Sequence, residues 1–339
     1  MAMDKRKTLM WLQSGGCGGC TLSLIGAESP DFLASLDIAG VDLLWHPSLS
    51  EATGTEAIAL IRQILAGEIA LDILCLEGSV IAGPGGTGRF HMMSGFDDKP
   101  MKDLIAELAG VSGTVMGIGS CAAFGGVTAG GDNHVEAMGL AHDGSEPGGL
   151  LGPDFRAKGG LPVVNISGCP IHPDWVVETL FQLAAGTMKA EDLDAFGRPK
   201  GISNKLVHHG CSRNEFYEFK ASAEKLCDLG CMMEHLGCKG TQASGDCNMR
   251  AWNGVGSCIS GGYPCIACTE PDFQEPGHPF AETPKIAGIP IGLPMDMPKA
   301  WFVALASLSK AATPERLREN AKSDHIRLAP RSRSKVRKP

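Results

Sequence analysis

No stretch of this sequence is apolar enough, for long enough, to cross a bilayer. The longest apolar run near the C-terminus, Ala300 to Leu308, falls far short of the roughly 20 residues a spanning helix needs. Nor does a basic segment followed by an apolar one open the chain, where Met1 to Met10 form a short polar lead into a strand-like run. The expectation is a cytoplasmic protein with no membrane span. Excess positive charge is missing too: 30 Lys and Arg stand against 38 Asp and Glu, and a net charge of −8 disfavours nonspecific binding to nucleic acid. An acidic protein is equally disfavoured as the main partner. One local exception is the last nine residues from Arg331, five of them Lys or Arg, which read as a disordered solvated tail rather than a docking segment. Without a secretory signal the thirteen cysteines do not read as a disulfide framework, because the cytosol keeps thiols reduced. They read as metal ligands.

What is present suits two domains, since 339 residues with 43% hydrophobic content can build two cores. The first half alternates short apolar runs with helix-length segments. Strands are expected at Thr8 to Gln13, Val41 to Trp45, Leu71 to Glu77, Thr114 to Ile118 and Leu161 to Ile166. Helices are expected at Cys20 to Ala27, Glu56 to Leu65, Met101 to Leu108 and Trp175 to Ala185. This is the pattern of an α/β fold, a doubly wound parallel sheet. Several strands end in Gly-rich turns: Ser14 to Gly19, Gly78 to Gly88, Gly117 to Gly126 and Ser167 to Pro170. Turns at the carboxyl ends of parallel strands converge on one rim, where this fold class binds ligands.

After about residue 195 the texture changes. Strands give way to dense Cys, Gly and Pro, with helical character near Asn214 to Leu226 and at Lys299 to Lys310, where Pro298 suits a helix start. Such a segment builds little apolar core and depends on bound metal for stability. The expected division is 1–195, 196–310 and a C-terminal helix with basic tail over 311–339. No internal repeat is present.

The cysteines fall into three groups. Cys17-Gly-Gly-Cys20, Cys121 and Cys169 all lie at expected strand ends, and four thiolates on one rim suit an iron–sulfur cluster or zinc. A thioredoxin-like redox pair is the rival for Cys17 and Cys20, without its usual context. His208, Cys211, Cys231 and Cys238 supply one imidazole and three thiolates, which fit a His-ligated cluster and a structural zinc site equally well. Cys247, Cys258, Cys265 and Cys268 place four thiols in 22 residues, again without separating iron–sulfur from zinc chemistry. Three four-ligand sites use His208 and eleven cysteines. Cys75, inside an apolar strand, and Cys227 remain outside them.

Over nearly its whole length the chain resembles the small subunits of nickel–iron hydrogenases. The resemblance rests on Trp11-Leu-Gln-Ser-Gly-Gly-Cys-Gly-Gly-Cys20, Glu77-Gly-Ser, Gly119-Ser-Cys-Ala, Asn165-Ile-Ser-Gly-Cys-Pro170, and the ordered His208, Cys231, Cys238 and Cys265 motifs. It implies a flavodoxin-like N-terminal domain holding a proximal [4Fe–4S] cluster on Cys17, Cys20, Cys121 and Cys169. It implies a distal [4Fe–4S] cluster on His208, Cys211, Cys231 and Cys238, with His209 an ordinary neighbour. A medial cluster falls to Cys247, Cys265 and Cys268. Better-known members carry proline where this chain has Cys258, and their medial cluster has three irons. The extra thiolate predicts three [4Fe–4S] clusters here.

By the same resemblance, hydrogen is split at a nickel–iron centre in a separate large subunit, and this chain has no catalytic side chain of its own. Electrons would pass through the proximal, medial and distal clusters in turn. Glu77, in a Gly-rich turn on the same rim, is a candidate for orienting cluster or interface groups. The Cys-Gly-Gly-Cys opening and the Cys231 to Cys238 spacing are similar to hydrogen-sensing regulatory members. The expected partners are therefore the large subunit and a histidine kinase or another electron-accepting protein, in an oligomer of heterodimers. A soluble uptake hydrogenase is the alternative, and a multi-zinc scaffold is the reading outside redox chemistry.

Overall fold

The computed structural model describes residues 6–93, 95–96, 98–275, 285–286, 289–290 and 298–330. The polar lead at 1–5 and the basic tail from Arg331 lie outside the described residues. The chain divides into two compact units, Met1–Lys205 with Cys268–His278, and Leu206–Ala267 with Pro279–Pro339.

The first unit is built on five parallel strands: β1 (Lys7–Gln13), β2 (Val41–Trp45), β3 (Ile73–Glu77), β4 (Thr114–Ile118) and β5 (Val164–Ile166). Their order across the sheet is β2-β1-β3-β4-β5, the flavodoxin-like winding. Strand and helix alternate because each apolar run is followed by a Gly-bearing turn and an amphipathic segment. The helices of six residues or more are α1 (Gly19–Ile25), α2 (Phe32–Ala39), α3 (Thr55–Leu65), α4 (Met101–Val111), α5 (Gly119–Phe124) and α6 (Pro173–Ala184). β3 sits mid-sheet and is buried at every position, as a strand covered on both faces must be. The core joins Met10, Leu12, Leu74 and Leu76 from the sheet to Ile61 and Ile64 of α3 and Leu104, Ile105 and Leu108 of α4.

Sequence periodicity does not anticipate α2. It is capped by Asp31, whose side chain accepts from the Ala34 N–H, and stopped by Gly40 in the left-handed region at φ +67°.

The second unit is irregular. Its helices are α7 (Asn214–Glu218), α8 (Met233–Leu236), α9 (Lys299–Ala312) and α10 (Glu315–Asn320). The helix expected over Asn214 to Leu226 ends at Glu218, because Lys220 turns the backbone to φ +52°. Strand structure does not vanish after residue 195: Lys285–Ile286 pairs antiparallel with Ile289–Pro290. The main core cluster here is small, with Val207, Met232, Leu236 and Ile259 among three alanines, and Cys211, Cys238, Cys247 and Cys265 packed against it.

Candidate metal centres

β1 runs into Ser14, and α1 begins at Gly19, so Cys17 and Cys20 straddle the first strand-to-helix turn. β4 ends at Ile118 and α5 starts at once, which places Cys121 in the first turn of that helix. β5 ends at Ile166, and Cys169 follows within three residues. All four thiols therefore leave the carboxyl ends of parallel strands on one rim, and they feel each other. Mutual repulsion links Cys20 with Cys121 and Cys169, and Cys17 with Cys121 and Cys169.

Burial pushes the thiols of Cys20, Cys121 and Cys169 up, strongly at Cys20 and to about 11 at Cys169. Thiolates gathered in such a place need a cation to hold them deprotonated. Backbone N–H groups already face the sulfurs: Gly19 donates to Cys17 Sγ at 3.4 Å, Ile171 to Cys20, and Val127 and Thr128 to Cys121. Glycine is required beside them. A Cβ on Gly119, held at φ +86°, would stand 2.6 Å from Cys20 Sγ. Soft donors, amide-lined sulfurs and cleared backbone together suit an iron–sulfur cluster. Among the described residues, no group of three or more His, Cys, Asp or Glu side chains is placed to hold a single metal ion.

Glu77 ends β3 on the same rim and is only 3% exposed. One carboxylate oxygen accepts from the Thr21 N–H at 3.0 Å. The other accepts from Trp11 Nε1 at 3.1 Å, Gln13 Nε2 at 3.0 Å and the Thr21 hydroxyl. The carboxylate thus ties the residue after Cys20 to the sheet, and its charge raises the Cys20 thiol further. Beside it lies His46, fully buried, its ring 5.2 Å from that of Trp11. Desolvation lowers the His46 imidazole to about 4. Ser120 was not anticipated from the sequence; its Oγ accepts from the Gly168 N–H at 2.9 Å and donates to the Cys268 carbonyl.

In the second unit, His208 lies in a 3₁₀ turn (Val207–Gly210) that delivers Cys211 at its end. Cys231 precedes α8, and Cys238 follows the left-handed Gly237 that stops it. One cavity is lined by all four of these residues together with Arg213 and Tyr217. N–H groups again reach the sulfurs: Arg213 donates to Cys211 at 3.4 Å, Cys265 to Cys238 at 3.4 Å, and Met233 to Cys231. Burial lifts Cys231 to about 12 and lowers His208, keeping the imidazole neutral and able to bind a metal. The Tyr217 ring meets His208 edge-on at 4.4 Å. Arg213, nearly buried, donates to the carbonyls of Asp228 and Gly230 just ahead of Cys231. Sequence reading missed Arg213 and Tyr217; their closeness to the His208-x-x-Cys211 motif was the available signal. His209 turns to its own backbone, Nδ1 accepting from the Leu206 N–H at 3.2 Å.

The third group is less gathered. Repulsion from Cys258 helps push Cys247 to about 12, behind the larger effect of burial, and Cys258 is exposed. Cys265 packs against the core of the second unit. Cys268 belongs to the first unit, whose boundary with the second falls between Ala267 and Cys268. Of the two cysteines left outside the groups, Cys75 is wholly buried in β3 with its thiol 3.9 Å from Met116 Sδ. Cys227 is exposed at φ +69°.

Known proteins resemble this chain in sequence and fold. Residues 204–281 match the C-terminal family of the NiFe/NiFeSe hydrogenase small subunit, and residues 17–183 match the family of the NADH ubiquinone oxidoreductase 20 Kd subunit. The F420 non-reducing hydrogenase II small subunit of Methanosarcina mazei is 32% identical over 324 residues, covering 89% of this chain and 82% of the relative. The periplasmic [NiFeSe] hydrogenase small subunit of Desulfomicrobium baculatum is 30% identical, covering 81% and 87%. Among solved structures, an actinobacterial-type NiFe-hydrogenase from Ralstonia eutropha H16 superposes with a TM-score of 0.74 at 31% identity, covering 92% of this chain and 93% of that one. The [NiFeSe] hydrogenase from Desulfovibrio vulgaris Hildenborough gives 0.70 at 29%, covering 83% and 99%. Among the described residues no helix is long and apolar enough to cross a membrane. Fold and sequence agree over most of the length: the chain belongs to the nickel–iron hydrogenase small subunits, the iron–sulfur, electron-transferring partners of a large subunit that holds the nickel–iron centre.

Proposed function

We propose that this chain serves a cytoplasmic, hydrogen-sensing hydrogenase through three [4Fe–4S] clusters. The observation that carries the cluster reading is the meeting of four mutually repelling thiols on the strand-end rim. Cys17, Cys20, Cys121 and Cys169 hold the proximal cluster, with Glu77 fixing the loop that presents Cys20. His208, Cys211, Cys231 and Cys238 hold the distal one, supported by the single cavity they line. Cys247, Cys258, Cys265 and Cys268 hold the medial one, a reading that rests on their number and spacing in sequence. Once bound, the clusters supply one-electron carriers at potentials set by charge, hydrogen bonding and burial. The cysteine and histidine side chains would ligate the iron, and backbone N–H groups are aimed at the cysteine sulfurs.

Iron and acid-labile sulfide analysis of the co-purified heterodimer tests the count, with about 12 irons on this chain expected from three cubanes. Zinc in place of iron would replace the redox reading with that of a scaffold. A strong three-iron EPR signal in the oxidised protein would remove Cys258 from the medial set.

The sensing role follows from the similarity of the Cys-Gly-Gly-Cys opening and the Cys231 to Cys238 spacing to regulatory members. It predicts slow hydrogen oxidation and a hydrogen-dependent change in a histidine-kinase partner. Turnover as fast as that of respiratory enzymes would assign the chain to uptake instead. An oligomer of heterodimers is supported by α9, where Trp301, Leu305 and Leu308, spaced as a helix-pairing seam, are 69%, 52% and 67% exposed. The cytoplasmic placement is consistent with thirteen cysteines, all described and none in a disulfide. Cell fractionation against compartment markers tests it.

A further inference from the structure

Ser120 lies in the turn after β4, between Gly119 at φ +86° and Cys121, and is only 1% exposed. A buried hydroxyl has one proton to donate and needs an acceptor for it. Here the acceptor is the backbone carbonyl of Cys268, 148 residues further along the chain. The same oxygen accepts from the Gly168 N–H at 2.9 Å, and the Ser120 N–H donates back to the Gly168 carbonyl at 3.0 Å. One side chain therefore joins the residue before Cys121, the residue before Cys169, and Cys268 itself.

Cys268 is the member of the third cysteine group that belongs to the first unit, whereas Cys247, Cys258 and Cys265 fall in the second. Its segment is held to the first unit from another side as well. Arg198, 7% exposed, donates from Nη1 to the Thr269 carbonyl at 3.0 Å and to the Glu270 carboxylate at 3.2 Å, while its Nε meets Asp194 at 2.8 Å. Two consecutive carbonyls, those of Cys268 and Thr269, are thus each held by a buried side chain. Together these bonds fix the Cys268 main chain relative to the turns that carry Cys121 and Cys169.

We propose that Ser120 is a positioning residue for electron transfer between two clusters. Its hydroxyl holds Cys268, a ligand of the medial cluster, in register with Cys121 and Cys169, ligands of the proximal one. The inference rests on the assignment of Cys268 to the medial cluster made above. In the step it serves, one electron leaves the proximal site and one arrives at the medial site; no bond forms or breaks, and Ser120 keeps its proton. Electron transfer between fixed centres falls steeply with their separation, so the residue acts by holding a distance rather than by touching either cluster. Ser120→Ala removes the tie to Cys268 but leaves the main-chain bond from residue 120 to the Gly168 carbonyl, so the proximal turns keep their direct link. Ser120→Thr keeps the hydroxyl.

The test compares the purified heterodimer as wild type, Ser120→Ala and Ser120→Thr. Iron analysis, EPR of the fully reduced protein and amide exchange at Gly168 accompany two assays. Isotope exchange between D₂ and water needs only the nickel–iron centre, whereas hydrogen-driven dye reduction needs the relay. Ser120→Ala is expected to keep its iron and its D₂–water exchange, to lose magnetic splitting between the proximal and medial EPR signals, and to exchange the Gly168 amide faster. Its dye reduction should slow by about fivefold, the population ratio that one net hydrogen bond sets. Ser120→Thr is expected to restore both the splitting and the rate. Wild-type splitting and dye reduction in Ser120→Ala overturn the proposal, as does a Ser120→Thr protein as impaired as Ser120→Ala. Loss of iron from Ser120→Ala, or failure of that variant to accumulate, also overturns it, because the hydroxyl then supports the scaffold rather than the separation. A wild type with about eight irons and no medial signal overturns it differently, by removing the cluster that Cys268 would serve.

Discussion

Replacing Glu77 by glutamine changes one atom and reverses a hydrogen-bond pattern. The carboxylate accepts four hydrogen bonds, from Trp11 Nε1, Gln13 Nε2, the Thr21 hydroxyl and the Thr21 N–H, and offers no donor in return. Glutamine keeps one acceptor oxygen and puts an NH₂ where the other was. If the oxygen faces the three side-chain donors, the NH₂ faces the Thr21 N–H; the opposite choice sets it against all three. Either way at least one buried donor loses its partner, which costs about 1–3 kcal/mol, and the remaining bonds lose their charge assistance. The sum is about 3 kcal/mol. For a domain of this size that lowers the melting temperature by roughly 6–12 °C. The Thr21 amide, in the first turn of α1 directly after Cys20, should exchange with solvent about a hundredfold faster. A second consequence has a definite sign: removing a negative charge near the proximal thiols favours the more negative, reduced cluster, so its midpoint potential moves up. Differential scanning calorimetry, hydrogen exchange and an EPR redox titration read the three effects. A shift below about 2 °C with an unchanged Thr21 amide would refute the argument that this carboxylate fixes the start of α1, which carries Cys20.

Two further changes test the same rim, and a third, in α4, serves as a control. His46 titrates near 4 in the folded protein against about 6.5 unfolded, so the unfolded state takes up the proton first and stability falls as pH drops from 6.5 to 4. The loss reaches roughly 3 kcal/mol, and His46→Gln should flatten the stability profile across that window, as measured by denaturant titration at each pH. Gly119→Ala should displace Cys20 and lower the iron content by about four per heterodimer. Gly110→Ala, with nothing within 4 Å inside α4, should leave iron unchanged and stabilise by up to about 1 kcal/mol.

The first unit was legible because its signals are redundant. Each sheet strand is a short apolar run, closed within two residues by a glycine in all but β2, and in the sheet β2 and β4 keep the limits expected from sequence, while β3 and β5 begin two and three residues later. The rule that parallel strands end on one rim then brings Cys17, Cys20, Cys121 and Cys169 together without any coordinates. α2 escaped because Leu33 and Ile38 are exposed beside buried Phe32 and Leu36, which blurs the 3.6-residue period. Its caps, Asp31 and Gly40, were the better signal. In the second unit no period exists to read. Tyr217 reaches His208, and Arg213 reaches the carbonyls before Cys231, through turns whose backbone angles the sequence does not announce.

That difference between the units has a thermodynamic consequence. The first unit buries a contiguous core of large side chains from sheet and helices, including Met10, Leu74, Leu104 and Ile105, each worth about 1.5–3 kcal/mol. The main cluster of the second contains only Val207, Met232, Leu236 and Ile259 as large members, and four cysteines complete its packing. Its order must therefore come in large part from whatever binds those thiols, since ligand binding that organises a site is folding free energy. Stripping the iron anaerobically, with a chelator and a mild oxidant, should release amide protection across Leu206–Ala267 while β1, β3 and β4 remain protected. Hydrogen exchange with mass spectrometry resolves the two regions. An iron-free protein whose second unit stayed as protected as its sheet would mean that the small apolar cluster suffices, and that the cysteines are guests of that fold rather than its supports.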